Sequence, residues 1–549
     1  MAGASNQTAT LRSSAARQCC VVGSGPAGVA CAQALLARGA RVLMLDAGLT
    51  LESERLALVE RLRVGRPDGW SAADLAAYRA GMNPDVGGVP LKLVYGSDFA
   101  YREADAHLGT RFERVGLRAS FARGGLSNVW GAAMLPAAAT DLPDWPFPAS
   151  TLDEHYARVL ELTGIAAAHD DLETVFPLYS AQPTRLRLSR QCEQMLARLE
   201  QHRDRLAAQG FIFGRSRLAV RGEDAPGGGC IYCRLCMYGC PYGHIYNAAE
   251  SLERLKAQAG FGYESGVVVT AVEDAGHGAV VRGYDLQTRA PRRWDCDRVF
   301  LAAGAIPTTA ILLRSLGAHG QTVWLRDSQY FLLPLLQTRR VAGATQEPLH
   351  ALCQLFLEWR PPGGPERAAH VQIYSNSDLI NEAVARMFGP LQRPLGALIR
   401  QLQERLLVAQ GYLHSALSSR IAVRLCRPGG DGGERVELRG EVNPATARAV
   451  RRLAWRLCRL WRSLGALPAL PMLKIAEPGR SFHSGGSFPM RRQPGRFETD
   501  WLGRPAGLRH VHAVDATVFP SIPPTTITLL AMANAHRIGW QAAQLGAED

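Results

Sequence analysis

Lysine is nearly absent from this 549-residue chain: Lys92, Lys256 and Lys474 are the only three, and arginine supplies the rest of the 62 basic residues. Against 49 acidic residues this leaves a net charge of +13. The arginines are spread along the chain and not gathered into basic runs, so no nucleic-acid footprint is written in the sequence and no such partner is expected. Also missing is any run of about 18 or more apolar residues, so no transmembrane segment is expected and membrane contact could only be peripheral. Residues 1–17 lack the apolar stretch and small-residue cleavage site of a secretory signal and read as a flexible tail. Of the twelve cysteines, eight are scattered and four are clustered, which is not the layout of a secreted disulfide framework. A reducing, cytoplasmic setting is expected.

What is present is an ordinary globular composition, 47% hydrophobic and 20% charged, on a chain too long for one simple core. Cys19 to Val22 is a short apolar run before a glycine-rich turn, Val29 to Arg38 has helical character, and Arg41 to Leu45 forms a second apolar run. That order predicts a βαβ start. From residue 51 to 114 the pattern loosens into an excursion outside the opening sheet. Gln329 to Leu336 and Ala369 to Tyr374 alternate as sheet does, which predicts an antiparallel layer in the middle of the chain. Asn443 and Pro444 start a helix whose apolar face carries Val450, Leu453 and Leu457, with arginines opposite. A core-packing helix is expected there in preference to a membrane-surface one.

Gly23, Gly25 and Gly28, with Pro26 and Ala27 between them, follow the first strand and open the helix. This is the setting of a dinucleotide fingerprint: a tight turn, a close backbone approach to pyrophosphate, and close helix–strand packing. Asp46 ends the second strand at about the offset expected of a carboxylate that binds a ribose hydroxyl. These residues predict nucleotide binding and do not choose between FAD and NAD.

Three further segments resemble the glucose-methanol-choline oxidoreductase family. They are Gly124-Gly125-Leu126-Ser127-Asn128-Val129-Trp130-Gly131, with Asp144-Trp145-Pro146 after it; Val299 to Pro307; and His483 to Met490, followed by Val514-Asp515-Ala516 through Ile538. The resemblance implies an α/β fold, with a discontinuous Rossmann-type FAD-binding domain over 18–50, 115–148, 225–320 and 475–549. An interleaved α+β antiparallel-sheet substrate domain would occupy 149–224 and 321–474. It places Gly124, Gly125, Ser127, Asn128, Val268, Ala303, Gly304, Asp515 and Ala516 with the fingerprint residues and Asp46 as FAD-binding. It also places His483 as the group that takes a hydroxyl proton while hydride passes to the flavin. The family's second His or Asn is replaced here by Thr526, which can still hydrogen-bond a substrate oxygen and lies next to the flavin site.

Cys230-x2-Cys233-x2-Cys236-x3-Cys240-Pro241 has the spacing with which bacterial ferredoxins hold an iron–sulfur cluster. Zinc is the alternative, although it more often takes two separated CxxC pairs. A cluster would carry electrons from flavin to a partner protein or quinone, which favours a dehydrogenase over an oxidase. The expected function is therefore FAD-dependent oxidation of an alcohol, sugar or lipid hydroxyl. Two alternatives stay open: a lyase or isomerase that uses the flavin as scaffold, and a non-catalytic electron-transfer or lipid-binding component.

Overall fold

The computed structural model describes residues 18–81, 91–364, 367–427 and 433–545; the expected tail at 1–17 lies outside the described residues. The opening strand Gln18–Val22 pairs in parallel with Arg41–Leu45 on one side and with Arg298–Leu301 on the other. Phe261–Glu264 and Val511–Ala513 complete a five-stranded, all-parallel sheet. A parallel sheet must be covered on both faces, which is why its inner strands are almost wholly apolar: Arg298–Leu301 is buried at every position. Pro26–Ala37 packs on this sheet beside the C-terminal helix Thr528–Ala542. Residues from both ends of the chain thus build one layer. The described residues of the excursion at 51–114 contribute no strand to it; Thr110–Glu113 instead joins a separate sheet beside Arg435–Glu441.

The middle of the chain forms the expected antiparallel layer. Tyr330–Gln337, Leu406–Leu413, Ala369–Tyr374, Leu355–Trp359 and Phe211–Arg215 lie side by side in that order. Successive side chains on a strand point to opposite faces, and here the two faces have different tasks. Phe331, Leu333, Val371, Ile373, Leu407 and Ala409 turn into a core, which Val450, Leu453 and Leu457 of the helix Pro444–Arg459 close from behind. That helix is therefore a packing helix. The alternate residues face a cavity between this sheet and the parallel one.

Gly411 shows how tightly the core face is filled. A Cβ at this position would stand 1.9 Å from a ring carbon of Phe331 on the neighbouring strand. Gly411→Ala is expected to destabilise the protein by about 2 kcal/mol, the scale of an overpacked core. A thermal melt checks it: an unchanged midpoint would mean that the Phe331 ring moves aside at no cost.

Candidate active site

A cavity of about 870 Å³ lies outside the carboxyl ends of the parallel strands, where open α/β sheets bind their ligands. It sits at the large end of ligand cavities, which run to about 1,000 Å³. One wall is the glycine turn. Gly23 sits at φ 101° against the carbonyl of Ala302, where a Cβ would stand 2.6 Å from the oxygen. A Cβ on Gly25 would meet no atom within 4 Å, so at that point the backbone faces open space. Pro26 and Ala27 also line the cavity, and the N-terminus of their helix is turned towards it. Gly28 stands behind, so close to the Gly23 carbonyl that no side chain fits.

The second glycine segment is strapped to this turn. The Gly124 amide donates to the Ser24 hydroxyl at 2.9 Å, Ser127 donates to the Gly124 carbonyl at 2.6 Å, and the Asn128 amide donates to the Gly125 carbonyl at 2.7 Å. Asn247 donates to Asn128, and the Ala248 amide to Ser127, tying the loop to the next helix. Gly125 and Ser127 reach the cavity surface, whereas Gly124 and Asn128 hold the loop from behind. Val268, Ala303, Gly304 and Ala516 also line the cavity.

Two buried carboxylates, Asp46 and Asp515, line this space and a third, Asp327, lies behind the His483 loop; none is ion-paired among the described residues. Asp46 accepts from Ser24 and, at 3.1 Å, from Tyr263; burial pushes its carboxyl up to about 6. Asp515 accepts from the Gly304 amide at 2.9 Å, from Thr308 at 2.6 Å and from Thr517, and burial raises it too. Asp327 accepts from the Gly479 amide at 2.8 Å, from Ser484 at 2.8 Å and from Ser481 at 3.1 Å. It thereby fixes the loop that carries His483. It too is pushed up to about 6 by burial.

The opposite wall presents His483 and Thr526. The Nδ1 of His483 and the hydroxyl of Thr526 are buried without a hydrogen-bond partner among the described residues. Burial, with His370 nearby, lowers His483 to about 3, so its ring is neutral and carries a free lone pair at neutral pH. The cavity face of the antiparallel sheet continues this wall with residues the sequence reading missed. Tyr412 stands between His483, 5.1 Å between ring centroids, and His370, at 5.9 Å, tilted by 31° to each. From His370 a buried polar chain runs to Gln372 at 3.1 Å and on to Tyr374 at 3.0 Å, with Glu358 holding the other side of the imidazole. Only the period-two polar positions inside otherwise apolar strands could have disclosed it.

The four clustered cysteines lie apart from these walls. All are unpaired thiols, and they line one small cavity of about 20 Å³ with His244 and His350. Burial pushes Cys230 up to about 12 and Cys236 to about 11, and raises Cys233 and Cys240 as well. Among the described residues, no group of three or more His, Cys, Asp or Glu side chains is placed to share a metal ion. The ligand set that the spacing calls for is not assembled in this geometry.

His483 gives a pH prediction with a definite sign. A histidine whose folded pKa is depressed stabilises the fold above its unfolded value of about 6.5 and loses that contribution as pH falls, by about 1.4 kcal/mol per unit. Melting temperature should therefore fall more steeply between pH 6.5 and pH 4.5 in the natural chain than in His483→Asn. Parallel curves would mean that the imidazole is solvated and ionises freely.

No protein-family model and no curated protein matches the sequence. Among solved structures, the chain is similar to pyridoxine 4-oxidase from Mesorbium loti, with a TM-score of 0.56 and 15% identity over 96% of this chain and 99% of that one. The likeness runs the length of both chains and shows that they share a fold.

Proposed function

We propose that the chain is a glucose-methanol-choline-type, FAD-dependent oxidoreductase that oxidises the CH–OH group of a small molecule. The observation that carries this reading is the meeting, on one cavity, of the glycine turn with its open Gly25 backbone and of two unpartnered polar side chains, His483 and Thr526. The solved structure with the shared fold is itself an oxidase. The cavity residues fit a dinucleotide: amides at a helix N-terminus for the pyrophosphate, Asp46 for a ribose hydroxyl, and Val268, Ala303 and Ala516 as walls.

FAD bound here would supply a two-electron acceptor for hydride from the carbinol carbon. The chain's own part is positioning and proton transfer. His483 is neutral and its Nδ1 has no partner among the described residues, so it has the lone pair with which to take the hydroxyl proton as hydride leaves. Thr526, whose hydroxyl has no partner among the described residues, can orient the substrate oxygen by a hydrogen bond. Asp327 and Tyr412 act as positioning residues, one through the loop and the other through the ring face. The four clustered thiols are not placed as a ligand set among the described residues, so no metal-borne electron step is part of the proposal.

The function is tested by anaerobic mixing with candidate alcohols, where the substrate bleaches the flavin band. His483→Ala should bind flavin normally and slow the bleaching by about 10²-fold or more, the usual weight of a general base. Bleaching at the natural rate would remove His483 from the chemistry, and product formed without bleaching would favour an isomerase or lyase.

A further inference from the structure

The cavity has a mouth, and one inserted segment forms much of it. Between the strands Ala369–Tyr374 and Leu406–Leu413 the chain leaves the sheet as the helix Asp378–Phe388, a short turn, and the helix Gly396–Gln403. Leu379, Ile380 and Val384 of the first helix line the cavity. The turn and the second helix carry an outward apolar stripe: Leu391 and Leu398 are each 56% exposed, and Pro394 and Ala397 extend it, while Ala383, Arg386 and the 67% exposed Met387 of the first helix line the rim of the cavity. A solvated surface segment gains nothing from such a stripe.

Charge says what covers it. From residue 383 to 403 there is no Asp or Glu, while Arg386, Arg393 and Arg400 are all exposed. The acids at the two ends are neutralised within the protein: Asp378 by Arg79 at 2.6 Å and Arg234 at 3.1 Å, and the buried Glu404 by Arg340. Glu382 is the one exposed acid among the described residues of the segment from 379 to 403. Met472 and Lys474 are exposed at the same mouth and line the cavity. An apolar stripe interleaved with cations is the surface that anionic lipid recognises, through shallow burial of the apolar groups and attraction of the arginines to headgroups.

We propose that residues 378–403 dock the cavity mouth on an anionic bilayer, from which an apolar alcohol enters. The substrate class rests on the function proposed above; the docking does not. Beyond the mouth one wall carries Leu332, Pro334, Leu406 and Val408, and the polar groups His483, Thr526, Gln372 and Gln410 stand on the same cavity, with Arg386 and Lys474 at its rim. A long-chain or polycyclic alcohol matches that arrangement, with its body against the apolar wall and its hydroxyl at His483 and Thr526. A sugar would leave most of its hydroxyls unpaired, at a cost for each.

The test is co-sedimentation of the full-length flavin-loaded protein with vesicles of phosphatidylcholine, with and without phosphatidylglycerol. The natural chain should sediment with the anionic vesicles. The double variant Leu391→Asp, Leu398→Asp, altered outside the cavity wall, should bind about tenfold more weakly or worse, with its flavin spectrum intact. Its flavin reduction by dodecanol held in vesicles should fall in step, while reduction by a soluble short-chain alcohol stays unchanged. A natural chain that remains in the supernatant, a variant that sediments equally, or a stripe that proves to hold two copies together in solution would overturn the proposal. Vesicle binding together with a flavin that no alcohol bleaches would uphold the docking and overturn the oxidoreductase reading alone.

Discussion

Side chains on a strand alternate between two faces, and in the antiparallel sheet that alternation separates a packed core from a cavity wall. Phe331, Leu333 and Leu335 face the core, while Tyr330, Leu332 and Pro334 of the same strand line the cavity. Leu407, Ala409 and Leu413 stand in the same relation to Leu406, Val408, Gln410 and Tyr412. A one-residue slip would exchange the two sets along a whole strand, placing Gln410 and Tyr412 in the core and apolar side chains beside His483. The register therefore sets the chemistry of the cavity as firmly as it sets the fold, and the fit of the Phe331 ring over Gly411 helps to fix that register.

The electrostatics of the cavity follow from how its acids are satisfied. Asp46, Asp327 and Asp515 are buried, and each is met by hydroxyl and amide donors rather than by a guanidinium. Burial raises all three carboxyls, so the protein resists placing full negative charge beside the space. The same desolvation keeps His483 neutral. The fixed charges that the cavity does carry are cations, at Lys92, Arg118, Arg386, Lys474 and Arg480.

The parts legible in the sequence were those in which neighbours along the chain share a task. The glycine turn, Asp46 at the end of its strand, and the His483 loop each carry their signal within a few residues, and the structure brings them to one cavity. Thr526 joins them there, as did Gly125, Ser127 and Asp515. Asp327 was not legible: it ends a strand about 150 residues before the loop it holds, and nothing local marks a carboxylate as a clamp. His370, Gln372 and Tyr374 sit in a strand buried at every position, where their polarity looks like noise until the cavity face is known. The cysteine spacing was the opposite case, a strong local signal whose four thiols gather at one cavity without forming a ligand set.

Two arginine-rich amphipathic segments show why pattern alone could not locate the surface that matters. Pro444–Arg459 has the stronger apolar–basic division, yet Val450, Leu453 and Leu457 are wholly spent on the core behind the sheet, and its arginines face outward. Residues 378–403 have a weaker division because apolar side chains occur on both sides, those at Leu379, Ile380, Val384 and Met387 on the cavity and those at Leu391 and Leu398 outward. A helix with one apolar face needs one partner, and the sheet supplies it. A segment with two needs a second, and the cavity can satisfy only the inner one. The distinction appears once the inner partner of each face is known, because only then does an outward apolar stripe stand as surface that the fold itself has left uncovered.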